Sequence, residues 1–115
     1  MEWGKRYARR PIDRRDFDRL PVRVPVTLVG PEGRVDAVAT DISVRGCALE
    51  SVSQVPRTGS FTLVLRLAEL PIEVEVATAR FAAGRVVGVE FRRLAPQAQA
   101  RLAEYVAALF TARQV

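Results

Sequence analysis

At 115 residues the chain has room for one domain with a modest core. It contains no histidine and one cysteine, which excludes an internal disulfide and any serine–histidine or cysteine–histidine nucleophile pair, and removes the commonest zinc ligand. The net charge is +5, and residues 1–23 carry +4 of it, as eight cations (Lys5, Arg6, Arg9, Arg10, Arg14, Arg15, Arg19, Arg23) less four acids (Glu2, Asp13, Asp16, Asp18).

Taken in order, residues 1–13 read as a flexible basic arm. Pro11 argues against one continuous helix into the next segment. No apolar core follows the basic residues, so the start is not a signal peptide. No apolar run is long enough to cross a bilayer, and the single thiol fits a reducing compartment. The expectation is a cytoplasmic protein without membrane insertion.

Residues 14–19 hold the arginine cluster, with Phe17 as a candidate anchor. From Val22 to Val29, Val22, Val24, Val26 and Leu28 alternate with Arg23, Pro25 and Thr27, the pattern of a half-buried strand. Pro25 cannot donate to a ladder, so it belongs on an edge or at an unpaired position. Gly30-Pro31-Glu32-Gly33 is a turn by composition. A second strand runs from Arg34 to Ile42 with poorer alternation, and it stops at the Ser43 to Gly46 turn.

Cys47 to Leu49 is a short third strand. After a loop with Pro56 and Gly59, Ser60 to Leu67 is a fourth, with Phe61, Leu63, Leu65 and Leu67 on one face. Ile72 to Phe81 is a fifth, with Ile72, Val74 and Val76 on one face. Glu73 and Glu75 on the other read as a solvated surface, not a catalytic pair. Gly84 marks a turn before the sixth strand, Val86 to Phe91.

Pro96 opens a helix, where proline is well tolerated. Its stripe of Leu102, Tyr105, Val106, Leu109 and Phe110 is suited to capping an open end of the sheet. Six short strands and one helix predict a mainly β fold, a small antiparallel barrel.

Two polar clusters stand at the ends of the first hairpin. Arg14-Arg15-Asp16-Phe17-Asp18-Arg19 precedes the first strand, and Asp41-Ile42-Ser43-Val44-Arg45-Gly46 ends the second. Neither is specific alone. Arg-x-x-x-Arg recurs at Arg6/Arg10, Arg10/Arg14 and Arg19/Arg23. Asp-x-Ser-x-x-Gly also describes a strand-ending turn in which Asp41 or Ser43 bonds nearby backbone and Gly46 supplies a positive φ. Together, with Val87-Gly88-Val89-Glu90-Phe91 in the last strand and an amphipathic helix after it, they resemble the PilZ domain family.

The resemblance covers residues 12–112 and implies a six-stranded PilZ-type barrel with a C-terminal helix, a non-catalytic receptor domain for cyclic di-GMP. It divides the chain into the arm (1–13) and the domain (14–113), with the arginine motif at 14–19, the barrel at 22–91 and the helix at 96–113. Carried over position by position, Arg14, Arg15 and Arg19 match the arginine motif. Asp41, Ser43 and Gly46 match the second motif. The implied ligand is cyclic di-GMP, as one molecule or an intercalated pair. No other cofactor or metal is implied. The implied setting is the bacterial cytoplasm, and the implied output is a changed surface read by an effector protein of motility, secretion or biofilm machinery.

The chemistry of these side chains suits that ligand. Guanine O6 and N7 are paired acceptors for a guanidinium fork, and phosphates take charge-assisted bonds from the same groups. Asp41 can accept guanine N–H donors. Two rival expectations remain: a PilZ-type adaptor that contacts proteins without ligand, and a nucleic-acid-binding barrel with a basic arm. The second is weakened by the scarcity of strand aromatics for stacking. Cys47 is expected in the core, and Arg23 on the surface.

Overall fold

The computed structural model describes residues 19–31, 33–50, 55–56, 58–67 and 71–114. The expected arm at 1–13, together with Arg14, Arg15 and Phe17, lies outside the described residues. The described chain runs β1 (Leu20–Gly30), β2 (Gly33–Ile42), β3 (Gly46–Glu50), β4 (Ser60–Leu65), β5 (Ile72–Ala83), β6 (Val86–Leu94) and α1 (Pro96–Gln114). The six strands close in the order β1-β2-β3-β6-β5-β4, and every neighbouring pair is antiparallel. This is the barrel and helix that the alternation and the resemblance predict.

Alternation places the core. Val24, Val26 and Leu28 of β1, Ala37 and Ala39 of β2, Cys47 and Leu49 of β3, Leu63 and Leu65 of β4, Ile72 and Val74 of β5 and Val87 and Val89 of β6 are buried. Leu102 and Val106 of α1 complete the same core. Tyr105, Leu109 and Phe110 pack against it less deeply, so the helical stripe does cover the barrel. Ala95 accepts the Gln99 amide at 2.9 Å, which makes Ala95 the N-cap and puts Pro96 at the first helical position, where its missing N–H costs nothing.

Closure corrects the expectation for Pro25, because a closed barrel has no edge strand. The other expectation, an unpaired position, is met only on the β4 side, since Pro25 pairs with Val38 of β2. The β1–β4 register runs from Val26 to Val29, and the Pro25 carbonyl accepts the amide of Arg66, just beyond β4, at 3.0 Å. The nitrogen of a strand residue faces the same side as its own carbonyl, so the missing Pro25 N–H falls on the β4 side, just beyond the β1–β4 register.

Alternation fails at two other places. In β5 the register shifts around Val76, and Ala77, not Val76, is fully buried. In β2 it shifts between Ala39 and Asp41, which accounts for the poor pattern there.

Candidate functional site

The site is built where β2 hands over to β3. Thr40 is the extra residue between the pairs Ala39↔Leu49 and Asp41↔Ala48. Such a bulge reverses the side-chain phase. Ala39 and Ile42 therefore both face the core, while Asp41 between them points away from it.

Asp41 Oδ1 accepts the Ala48 amide at 3.1 Å and Arg19 Nη1 at 2.8 Å. The carboxylate thus fixes the start of β3 and holds the last arginine of the first motif. The Arg19 and Asp41 side chains are 43% and 29% exposed, so the pair is reachable from solvent.

The turn itself is held from within. Ser43 is buried, its amide donates to the Gly46 carbonyl at 2.9 Å, and its hydroxyl accepts the Arg45 amide at 3.1 Å. The hydroxyl also reaches the Gly46 carbonyl at 3.4 Å. This is the backbone-bonding turn that the sequence offered as one reading of the motif. The Arg45 carbonyl accepts the Phe91 amide at 2.9 Å, tying the turn to β6.

Gly46 differs from the expectation of a positive φ, which the structure finds at Gly33, Gly59 and Gly84 instead. Its requirement is space. A Cβ on Gly46 would stand 2.1 Å from the Val89 carbonyl oxygen and 3.3 Å from the Glu90 Cα. Glycine here lets β3 approach β6.

Directly behind the motif, Cys47 is fully buried and its thiol is pushed up to about 12, chiefly by burial and then by the Asp41 carboxylate, against a lowering by Arg19. That is a core thiol with little thiolate at neutral pH.

Arg19, Asp41, Ser43 and Gly46 of the expected residues are thus brought together, with Arg19 and Asp41 presented outward and Ser43 and Gly46 shaping the backbone. Arg14 and Arg15 lie outside the described residues. Past the turn a groove of about 580 Å³ runs between Val44 and Arg45, Glu90 and Arg92 of β6, and Gln99 and Leu102 of α1. Val44 and Arg45 lie within the second motif and Glu90 within the Val87 to Phe91 stretch, but at positions to which the sequence reading gave no site role. Among the described residues no cluster of acidic, thiol or imidazole groups could hold a metal ion, and no helix is long and apolar enough to cross a membrane.

Comparison with known proteins bears on this arrangement. Residues 13–108 match the PilZ domain family. No curated protein matches the chain in sequence. Among solved structures, an inhibitor of motility from Bacillus subtilis (MotI/DgrA) is similar at 23% identity and a TM-score of 0.75, over 92% of this chain and 56% of that one. The chain thus spans about half the length of that neighbour. The PilZ domain of CeSA from a cellulose-synthesizing bacterium is similar at 20% identity and a TM-score of 0.62, over 80% of this chain and 97% of that one. An uncharacterized Legionella protein is similar at 15% identity and a TM-score of 0.61, over 86% of this chain and the whole of that one. These likenesses concern the fold.

Proposed function

The chain belongs to the PilZ domain family, and on that premise we propose that it is a non-catalytic receptor for cyclic di-GMP. Arg14, Arg15 and Arg19 hold the ligand from one side, and the Asp41 to Gly46 turn holds it from the other. The observation that carries this reading is the contact between Arg19 and Asp41, 22 residues apart in the chain, 2.8 Å apart on the barrel surface. It joins the last guanidinium of one motif to the carboxylate of the other, so a ligand at either is within reach of both.

The division of labour follows from the chemistry. Guanidinium groups pair with guanine O6 and N7 and with the ligand phosphates. Among the described residues Asp41 is engaged through Oδ1, which leaves Oδ2 to accept guanine N–H donors. Ser43 and Gly46 serve by fixing the backbone that aims Asp41. Three neighbouring guanidinium groups favour an intercalated pair of ligands over one.

Bridging the two motifs fastens the N-terminal segment to the barrel and remakes the surface that an effector protein reads. The fold likeness to an inhibitor of motility makes motility machinery the first effector class to test. Calorimetric titration with cyclic di-GMP, beside GTP and single-stranded DNA, tests the proposal. Saturable heat from cyclic di-GMP alone supports it, whereas steeply salt-dependent binding of bulk single strands would favour the nucleic-acid reading.

A further inference from the structure

A second bulge matches the one at Thr40. In β5, Arg80 is the extra residue between the pairs Ala79↔Val89 and Phe81↔Gly88. Ala77 is fully buried and Ala79 packs against the core, so simple alternation would send Phe81 inward. The bulge reverses the phase and turns Phe81 out, as Thr40 does for Asp41.

The two re-aimed side chains share one row. Asp41 pairs with Ala48, Ala48 with Gly88, and Gly88 with Phe81. The row crosses three strand spacings, about 14 Å along the sheet. It carries a carboxylate at one end and an aromatic ring at the other, with nothing larger than a methyl group between them.

The ring lies on the glycine. A Cβ on Gly88 would stand 2.1 Å from Phe81 Cε2. Yet Phe81 remains 53% exposed, the one large hydrophobic side chain so exposed among the described residues. The same bulge sends out Arg80, which bonds Glu90 at 2.9 Å, and Arg92 meets the same carboxylate oxygen at 3.3 Å. An exposed ring with Arg80 next to it in the chain offers a π-face and a cation on one stretch of β5, the pairing that nucleotide bases and phosphates take.

We propose that this row is a second purine half-site, in which a base stacks on Phe81 and Arg80 meets the adjoining phosphate. The inference rests on the receptor reading above. The base is the one that Asp41 does not hold, from the same dinucleotide or from a second copy.

Phe81→Leu and Phe81→Trp both keep an apolar cover on Gly88, and only the tryptophan keeps a π-face. The test titrates wild type and both variants with cyclic di-GMP by calorimetry, with thermal melts to establish that each is folded. Stacking lost in Phe81→Leu is expected to weaken binding about 5- to 150-fold, while Phe81→Trp binds as tightly as wild type or more so. In a Trp3→Phe background the new indole is expected to be quenched in step with the heat. Loss of one ligand equivalent in Phe81→Leu would assign the base to a second copy, and weaker binding at unchanged stoichiometry to the same dinucleotide. Unchanged affinity and stoichiometry in Phe81→Leu would overturn the half-site and leave the receptor reading standing. Absence of binding by the wild type would overturn both.

Discussion

Arg19 Nη1 lies 2.8 Å from Asp41 Oδ1, and that same oxygen accepts the Ala48 amide at 3.1 Å. One carboxylate oxygen therefore serves both the barrel and the arginine motif. A ligand that recruits Arg19 competes with a contact already made, and the two jobs of Asp41 separate by mutation.

Arg19→Ala removes an ion pair whose cation is 43% exposed. Solvent-screened pairs contribute about 0–1 kcal/mol, so urea denaturation should show stability within about 1 kcal/mol of wild type. Cyclic di-GMP affinity should fall far more, by about 5- to 150-fold for a lost bidentate contact. Equal losses in both measurements would mean that Arg19 serves the fold alone.

Asp41→Asn keeps an oxygen for the Ala48 amide but loses the charge and an acceptor for guanine. Asp41→Ala loses both. The expected result is near-native stability for Asp41→Asn, about 1–3 kcal/mol of destabilisation for Asp41→Ala from the orphaned amide, and weakened ligand binding in both. Denaturation and titration of the two variants side by side check the separation.

The two close-packed glycines should respond differently. At Gly46 an added Cβ meets backbone, the Val89 carbonyl, whereas at Gly88 it meets the far end of the Phe81 ring. Overpacking costs about 1–3 kcal/mol. Gly46→Ala should reach the upper end of that range or pass it, since a strand must move. Gly88→Ala should cost about 1 kcal/mol or less, because an exposed ring can swing aside. The double variant Gly88→Ala/Phe81→Ala should show a coupling of about 0.5 kcal/mol or more. Additive losses would mean that the ring and the glycine are independent.

Cys47 predicts an alkaline effect. Its folded pKa, about 12, stands above the ordinary thiol value of 9.0. The folded state therefore holds the proton more tightly than the unfolded state. That contribution is fully present below about pH 9 and is lost as pH rises towards 12, at a slope on the order of 1 kcal/mol per pH unit. Tyr105 is also raised by burial and acts in the same direction. Comparison with Cys47→Ala isolates the thiol: the variant should lose stability less steeply between pH 9 and 11. At pH 8 a thiol reagent should label the native protein far more slowly than the unfolded chain, because Cys47 is fully buried.

What the sequence made legible was local or periodic. Alternation through Val24, Val26 and Leu28, the helical stripe ending at Phe110 and the turn at Gly84 needed no distant partner to be read. The site was legible as a conjunction, because Asp41, Ser43 and Gly46 stand at fixed offsets. The bulges were not. An extra residue at Thr40 or Arg80 is defined by the neighbouring strand's register, and neither residue type announces it. For the same reason Gly46 suggested an unusual backbone angle, when its requirement is the nearness of Val89 across the barrel. Phe81 read as the end of a strand, because its exposure follows from the bulge before it and from Gly88 opposite.

In the proposed receptor, the arginine motif and the Asp41 to Gly46 turn form one cyclic di-GMP site. The most direct test is calorimetric titration of the full chain with cyclic di-GMP, beside Arg15→Ala and Arg19→Ala, with GTP and single-stranded DNA as controls. The expected result is saturable binding of cyclic di-GMP, no comparable heat from the controls, and affinity reduced about 5- to 150-fold in each variant. No heat from wild type at high ligand concentration would contradict it, and would leave the ligand-free adaptor as the reading to pursue.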